Sequence, residues 1–260
     1  MAILHHYPFC PNSRFVRIVL AEIGLEPELK EERPWERRIE YLGLNPAGST
    51  PTLVDGEVVA PGAGVIAEYL DETRGGGLNG RRLLPKEPAA RVEVRRLLDW
   101  FLGKFQEEVT GHLVTEKIFK RFMGPQSGPP DMNAIRAART NLRYHLQYIG
   151  YLIAGRNWLA GDDLTYADLA AAAHLSCADY LGDVPWDEDE TAKDWYARVK
   201  SRPAFRRLGH PLHGPVMAGL DPGLQALRRQ RDRVRPGDAD RVEAERPGAL
   251  DEGAFQLLAL

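Results

Sequence analysis

Over residues 1–74 the apolar and polar positions alternate between strand-like and helix-like runs. "AILHHY" reads as a strand, "SRFVRIVLAEIG" as a helix closed by Gly24, and "EPELKEE" as a second strand, which makes a β-α-β start. "WERRIEYLGLNP" reads as one short helix. "TPTLV" and "EVVA" are β-prone and flank Asp55-Gly56, the pair that supplies a positive-φ hairpin turn, and "GVIAEYLDETR" returns to helical spacing.

The glycines and prolines of "GGGLNGRRLLPKEP" break this pattern and predict a connector over residues 75–88. From there the chain is helical in period, with Val94, Leu97, Leu98, Phe101 and Phe105 spaced for one buried face. "GPQSGPPDM" interrupts, and "NAIRAARTNLRYHLQYIGYLIAG" resumes the helix. In "DDLTYADLAAAAHLSCADYLG" the spacing of Thr165 and Asp168 predicts a reciprocal capping box, with Leu164 as hydrophobic staple. The almost wholly apolar helix that follows belongs at the centre of a domain spanning 89–207. Residues 208–260 are rich in Arg, Asp, Gly and Pro without sustained apolar periodicity, and read as a disordered tail.

Composition narrows the function classes. A chain of 260 residues, 43% hydrophobic and 27% charged, can bury the cores of two modest domains. Its net charge of -3 gives no broad attraction for nucleic acid, and the Arg-rich pieces are broken by acids or glycine. No apolar run reaches the length of a membrane span, and the start lacks a secretory pattern, so the expected location is cytoplasmic. Two cysteines, Cys10 and Cys177, exclude a disulfide framework. The seven histidines show no metal-ligand spacing with acidic partners and are expected to be structural or surface residues. "GGGLNG" lacks the Lys-Ser/Thr ending of a phosphate loop.

Four segments in order, "FCPNSRFVR", "LNPAGSTPTLV", "VIAEYLDE" and "LTYADLAAAAHL", resemble the glutathione S-transferase superfamily from residue 1 to about residue 207. The resemblance implies a thioredoxin-like N-terminal α/β domain followed by an all-α C-terminal domain. It also implies that Pro51 is cis, that the backbone of Thr50 faces the active site, and that glutathione lies in the groove between domains. Cys10 falls where cysteine-using members carry the attacking thiol. The helix start behind it, with Arg14 and Arg17, is expected to favour the thiolate; the alternative is a small apolar residue packed under the turn. Ser13 either donates to the sulfur or caps the first helix. Tyr7 either offers a hydroxyl or packs.

One departure is specific. Counting back from Tyr69 and Leu70, the positions where the family carries an acidic residue and then Ser or Thr are Gly62 and Ala63. Losing that grip on the γ-glutamyl end of glutathione costs on the order of a few kcal/mol, although N–H groups at the helix start could still hold a carboxylate. Trp35, flanked by Arg37 and Arg38 in "ERPWERR", reads as a partly buried core residue or an anchor for a protein partner. This segment and "YLGDVPWD", with "AKDWYARVKSRPAFR", resemble bacterial FtsZ-binding, glutathione-transferase-like division proteins. That likeness implies FtsZ as partner and a homodimer. The rival reading is a glutathione-dependent transferase or thiol reductase, with Cys10 and Ser13 catalytic and Thr50, Pro51, Gly62 and Ala63 at the cofactor.

Overall fold

The computed structural model of the protein describes residues 2–75 and 82–208. Of the expected tail only Leu208 lies within them.

β1 (Ile3–His6), α1 (Pro11–Glu22) and β2 (Glu28–Glu31) make the expected β-α-β start. The helical crossover is what allows β1 and β2 to run parallel. β3 (Thr52–Asp55) and β4 (Val58–Pro61) form the hairpin, with Gly56 at φ 64 in its turn. The sheet order is β2-β1-β3-β4, and β3 is antiparallel to both neighbours. Leu4 pairs in register with Leu53, and both are fully buried.

Two local expectations change. α1 begins at Pro11, where a missing N–H is harmless, and its N-cap is Cys10 rather than Ser13. "WERRIEYLGLNP" is not one helix: a 3-10 turn at Pro34–Glu36 ends in Arg37, whose left-handed φ of 46 separates it from α2 (Ile39–Leu44). α3 (Ala63–Arg74) then packs against α1.

The second half is helical throughout. α4 (Pro88–Asp99) continues through π-helical Trp100–Lys104 and Gln106–Thr110 into α5 (Gly111–Val114), then through π-helical Thr115–Phe119 into α6 (Lys120–Phe122). After a 3-10 turn at Pro125–Ser127 come α7 (Met132–Ala154), α8 (Tyr166–Tyr180), α9 (Glu190–Lys200) and α10 (Pro203–Arg206).

α8 is buried from Tyr166 to Asp179 and packs on α1, α4 and α9. Its capping box forms as its sequence predicts. Ala167 N donates to Thr165 Oγ1 at 3.3 Å, and Thr165 N donates to Asp168 Oδ2 at 3.0 Å. The other oxygen of Asp168 accepts from Leu159 N at 2.9 Å and Trp195 Nε1 at 3.0 Å, so one carboxylate ties α8 to α9 and to the preceding loop. Trp186 stacks on Tyr196 at 4.8 Å and donates to Asp179, which fits packing roles for these aromatics. In the acidic run, Asp187, Glu188 and Glu190 are exposed, whereas Asp189 is half-buried and caps α9.

The architecture is a thioredoxin-like domain with a four-stranded mixed sheet, followed by a helical domain. Among the described residues, no helix is long and apolar enough to cross a membrane.

Candidate functional site

Cys10 lies half-buried in the turn between β1 and α1. Its sulfur accepts from Ser13 N at 3.4 Å and its S–H donates to the Thr50 carbonyl at 3.3 Å. Ser13 is fully buried, and its hydroxyl accepts from Tyr7 N at 3.3 Å. It touches the sulfur only through its backbone.

The two arginines expected to support a thiolate turn elsewhere. Arg14 is fully buried: its Nε donates to Ser176 Oγ at 2.8 Å, and its guanidinium lies over the Tyr180 ring, 5.1 Å from the centroid. Arg17 donates to the Leu208 carbonyl at 3.2 Å. Helical period explains this. Arg14 is one turn ahead of buried Ile18, on the face of α1 that meets α8. Cys177, below the turn, donates to Phe9 O at 3.7 Å, and burial pushes its thiol up to about 12.

The Thr50-Pro51 bond is cis. Its approach is held from below, where Ser49 O accepts from Tyr41 Oη at 2.5 Å and from Asn45 Nδ2 at 2.7 Å. Among the described residues nothing accepts from the Thr50 N–H, which leaves a donor beside the cis proline. Next to Pro51 lies the start of α3. Gly62 is its N-cap, at φ 91 and ψ 144, and donates its own N–H to Pro51 O at 2.9 Å. Ala63 is buried, and neither residue offers a polar side chain.

Trp35 is half-buried in a three-ring cluster, 5.0 Å from Tyr7 and 5.0 Å from Phe119, while Tyr7 and Phe119 meet edge to face at 5.3 Å. The cluster joins the end of β1, the 3-10 turn and the long helix of the second domain. Tyr7 is therefore a packing residue, and burial, then Glu31, pushes its hydroxyl up to about 12. Beyond Trp35 the chain turns to solvent: Arg37 is exposed and Ile39 is 83% exposed. Arg38 instead pairs with buried Glu32 at 3.2 Å.

Several contributors went unseen in the sequence. His174 is fully buried and joins Thr110 Oγ1 at 3.0 Å to Asn12 Oδ1 at 3.1 Å, linking α8, the long helix and the first turn of α1. His145 lies between Trp100 Nε1 at 3.0 Å and Glu108 Oε2 at 2.9 Å. Burial lowers these two rings to about 3 and about 4, respectively. Three residues after Asn45, Gly48 takes φ 69, so "NPAG" carried the turn chemistry that could have singled out Asn45 as the brace of the cis-proline loop.

Comparison with known proteins agrees with this geometry. Residues 4–77 match the model of the glutathione S-transferase N-terminal domain, and residues 115–203 that of its C-terminal domain. FtsZ-localized protein A of Caulobacter vibrioides is 44% identical over 225 residues, covering 85% of this chain and 92% of that protein. The solved structure of a glutathione S-transferase from Sinorhizobium meliloti 1021 superposes with a TM-score of 0.78 at 50% identity, covering 80% of this chain and 91% of that one. FzlA from C. crescentus superposes at 0.74 with 43% identity, covering 86% and 94%. With both domains matched in order and the Thr50-Pro51 bond cis, the chain belongs to the glutathione S-transferase family.

Proposed function

We propose that this chain is a non-catalytic, FtsZ-associated interaction protein of the division machinery, cytoplasmic and homodimeric, whose glutathione site has decayed. The observation that carries the reading is the start of α3, where Gly62 and Ala63 leave no side-chain grip for the γ-glutamyl carboxylate. The 44% likeness to FtsZ-localized protein A supplies the partner. The contact surface is the segment around Trp35. Trp35 braces it from inside, and Arg37 and Ile39 present charge and an apolar side chain to the partner. Exposed Val58 and Val59 on the edge strand and Val65 on α3 supply an apolar face for the second subunit.

Arg37 is the probe of choice. Among the described residues it has no ion pair, whereas removing Arg38 would strand buried Glu32, and removing Trp35 would empty the ring cluster. Arg37→Glu should leave the thermal unfolding curve in place and weaken binding to immobilised FtsZ, measured by interferometry, at least tenfold, or about 1.4 kcal/mol. Undiminished binding by that variant would remove this surface from the reading.

The second reading, a glutathione-dependent transferase or thiol reductase, is favoured by the Thr50 N–H beside cis-Pro51, which has no acceptor among the described residues, and by Cys10 at the helix start. Calorimetric titration with reduced glutathione separates the two. Binding tighter than about 1 mM, near -4 kcal/mol, would restore the enzyme.

A further inference from the structure

The C-terminal half of α1 and the loop after it border a groove away from Cys10. Arg17, Leu20, Ala21, Leu25, Pro27 and Leu29 line it, and its volume is about 150 Å³, smaller than a drug-sized site and matched to a short chain. The lining is apolar apart from Arg17 and a rim pair, Arg207 with Glu26 at 2.9 Å.

Charge in this region is unbalanced at one point. Three arginines gather around the end of α1. Arg202 is held by both oxygens of Glu22, at 2.6 and 2.8 Å, and Arg207 is held by Glu26. Arg17 meets no carboxylate among the described residues and uses one N–H, on the Leu208 carbonyl. A guanidinium has five N–H donors in a fork that fits a carboxylate. Arg17 is also largely withdrawn from water, and burial, then the neighbouring Arg14, lowers it to about 10. Among the described residues two further buried nitrogens, Arg14 Nη2 and His6 Nδ1, lack hydrogen-bond partners. A half-buried cation at the edge of an apolar groove calls for an anion carrying an apolar body.

We propose that this groove binds a small aliphatic carboxylate, its carboxylate on Arg17 and its hydrocarbon chain against Leu20, Leu25 and Leu29. The site lies away from the Cys10 turn and from the Trp35 surface, and the proposal stands whichever functional reading holds.

The test titrates the full-length chain with octanoate, followed by amide chemical shifts. Saturable shifts are expected at Leu20, Ala21, Leu25 and Leu29. Arg17→Met, which keeps an unbranched apolar stem but not the charge, should weaken octanoate about tenfold and leave octanol unaffected, the loss expected for one charge-assisted contact. Arg207→Ala should change little, since that charge is already committed to Glu26. Equal octanoate affinity in Arg17→Met and wild type would overturn the proposal, as would an absence of shifts at those amides up to the solubility limit. Should Arg17→Met fail to fold, the wild-type protein decides: octanoate must bind more tightly than octanol, and equal affinities overturn the assignment.

Discussion

α8 and α3 start in opposite ways. At α8, Thr165 and Asp168 answer one another across the first turn, and Asp168 also receives the Leu159 N–H and the Trp195 indole, all out of contact with water. At α3, glycine and alanine leave the end uncapped by any side chain, with Gly64 and Val65 open to solvent. A helix end needs partners for its N–H groups, but only a buried one must find them within the protein. The α8 start is therefore bound to its side chains by the fold itself. The α3 start opens to solvent, so water can satisfy its N–H groups and the fold does not demand a side-chain cap there.

Of the substitutions, breaking the α8 start should have the largest effect. Asp168→Ala strands three buried N–H donors, partly offset by no longer burying a carboxyl that desolvation already pushes up. A loss of about 4 kcal/mol is expected in urea unfolding. A loss below about 1 kcal/mol, the scale of an ordinary exposed cap, would erase the contrast with α3.

Acid should act on the same side of the comparison. His174, in α8, and His145, packed near it, are lowered to about 3 and about 4 by burial, and His6 to about 3 by burial and then Arg17. The unfolded chain takes up these protons near 6.5, whereas the folded chain resists until the lower values are reached. Stability is thus unaffected by these groups above pH 6.5 and falls as pH drops below it. At pH 5 the loss is about 2 kcal/mol per histidine. Urea midpoints measured from pH 7.5 down to pH 5 check this. A flat profile would mean that the rings take protons while folded.

How much of this was legible follows from the range of each interaction. The strands, the hairpin at Asp55-Gly56 and the Thr165-Asp168 box rest on neighbours in sequence, and all appear where the pattern predicts them. Gly62 and Ala63 were located by counting from Tyr69, because a helix preserves spacing. Trp35 against Phe119, and His174 between Thr110 and Asn12, join segments far apart in the chain, and no local period encodes such pairings. Arg14 was misread as support for the sulfur because its charge was weighed ahead of its phase with Ile18. The π-helical stretches went unseen because a few turns of wider helix leave nearly the same apolar spacing.

The comparison can be sharpened by giving α3 what it lacks. Gly62→Glu with Ala63→Ser supplies the pair of side chains that the proposed reading holds to be missing. No atom lies within 4 Å of a Cβ built at Gly62, but φ 91 is a conformation that L residues resist. The double variant should lose about 1–2 kcal/mol of stability. On the proposed reading, reduced glutathione should produce binding heat with the variant at concentrations where the wild type is expected to give none. A stable variant without glutathione binding would show that the groove was lost for another reason, such as the Cys10 contact on Thr50.

The smallest effect is expected at the third helix start, which lies between the other two in kind. α1 is capped by a thiol, a weak acceptor, at 3.4 Å from Ser13 N, and the same sulfur is tied to Thr50 O. If Cys10 serves only as this cap and tie, Cys10→Ala should cost about 1 kcal/mol or less and Cys10→Ser should recover most of it, because a hydroxyl caps well and also donates. FtsZ binding should be unchanged in both. A thiol with a chemical role gives the reverse ranking, with Cys10→Ser as inactive as Cys10→Ala in glutathione turnover despite its better cap. Thermal unfolding and a thiol-transfer assay on the two variants separate these cases, because stability follows the cap and turnover follows the sulfur.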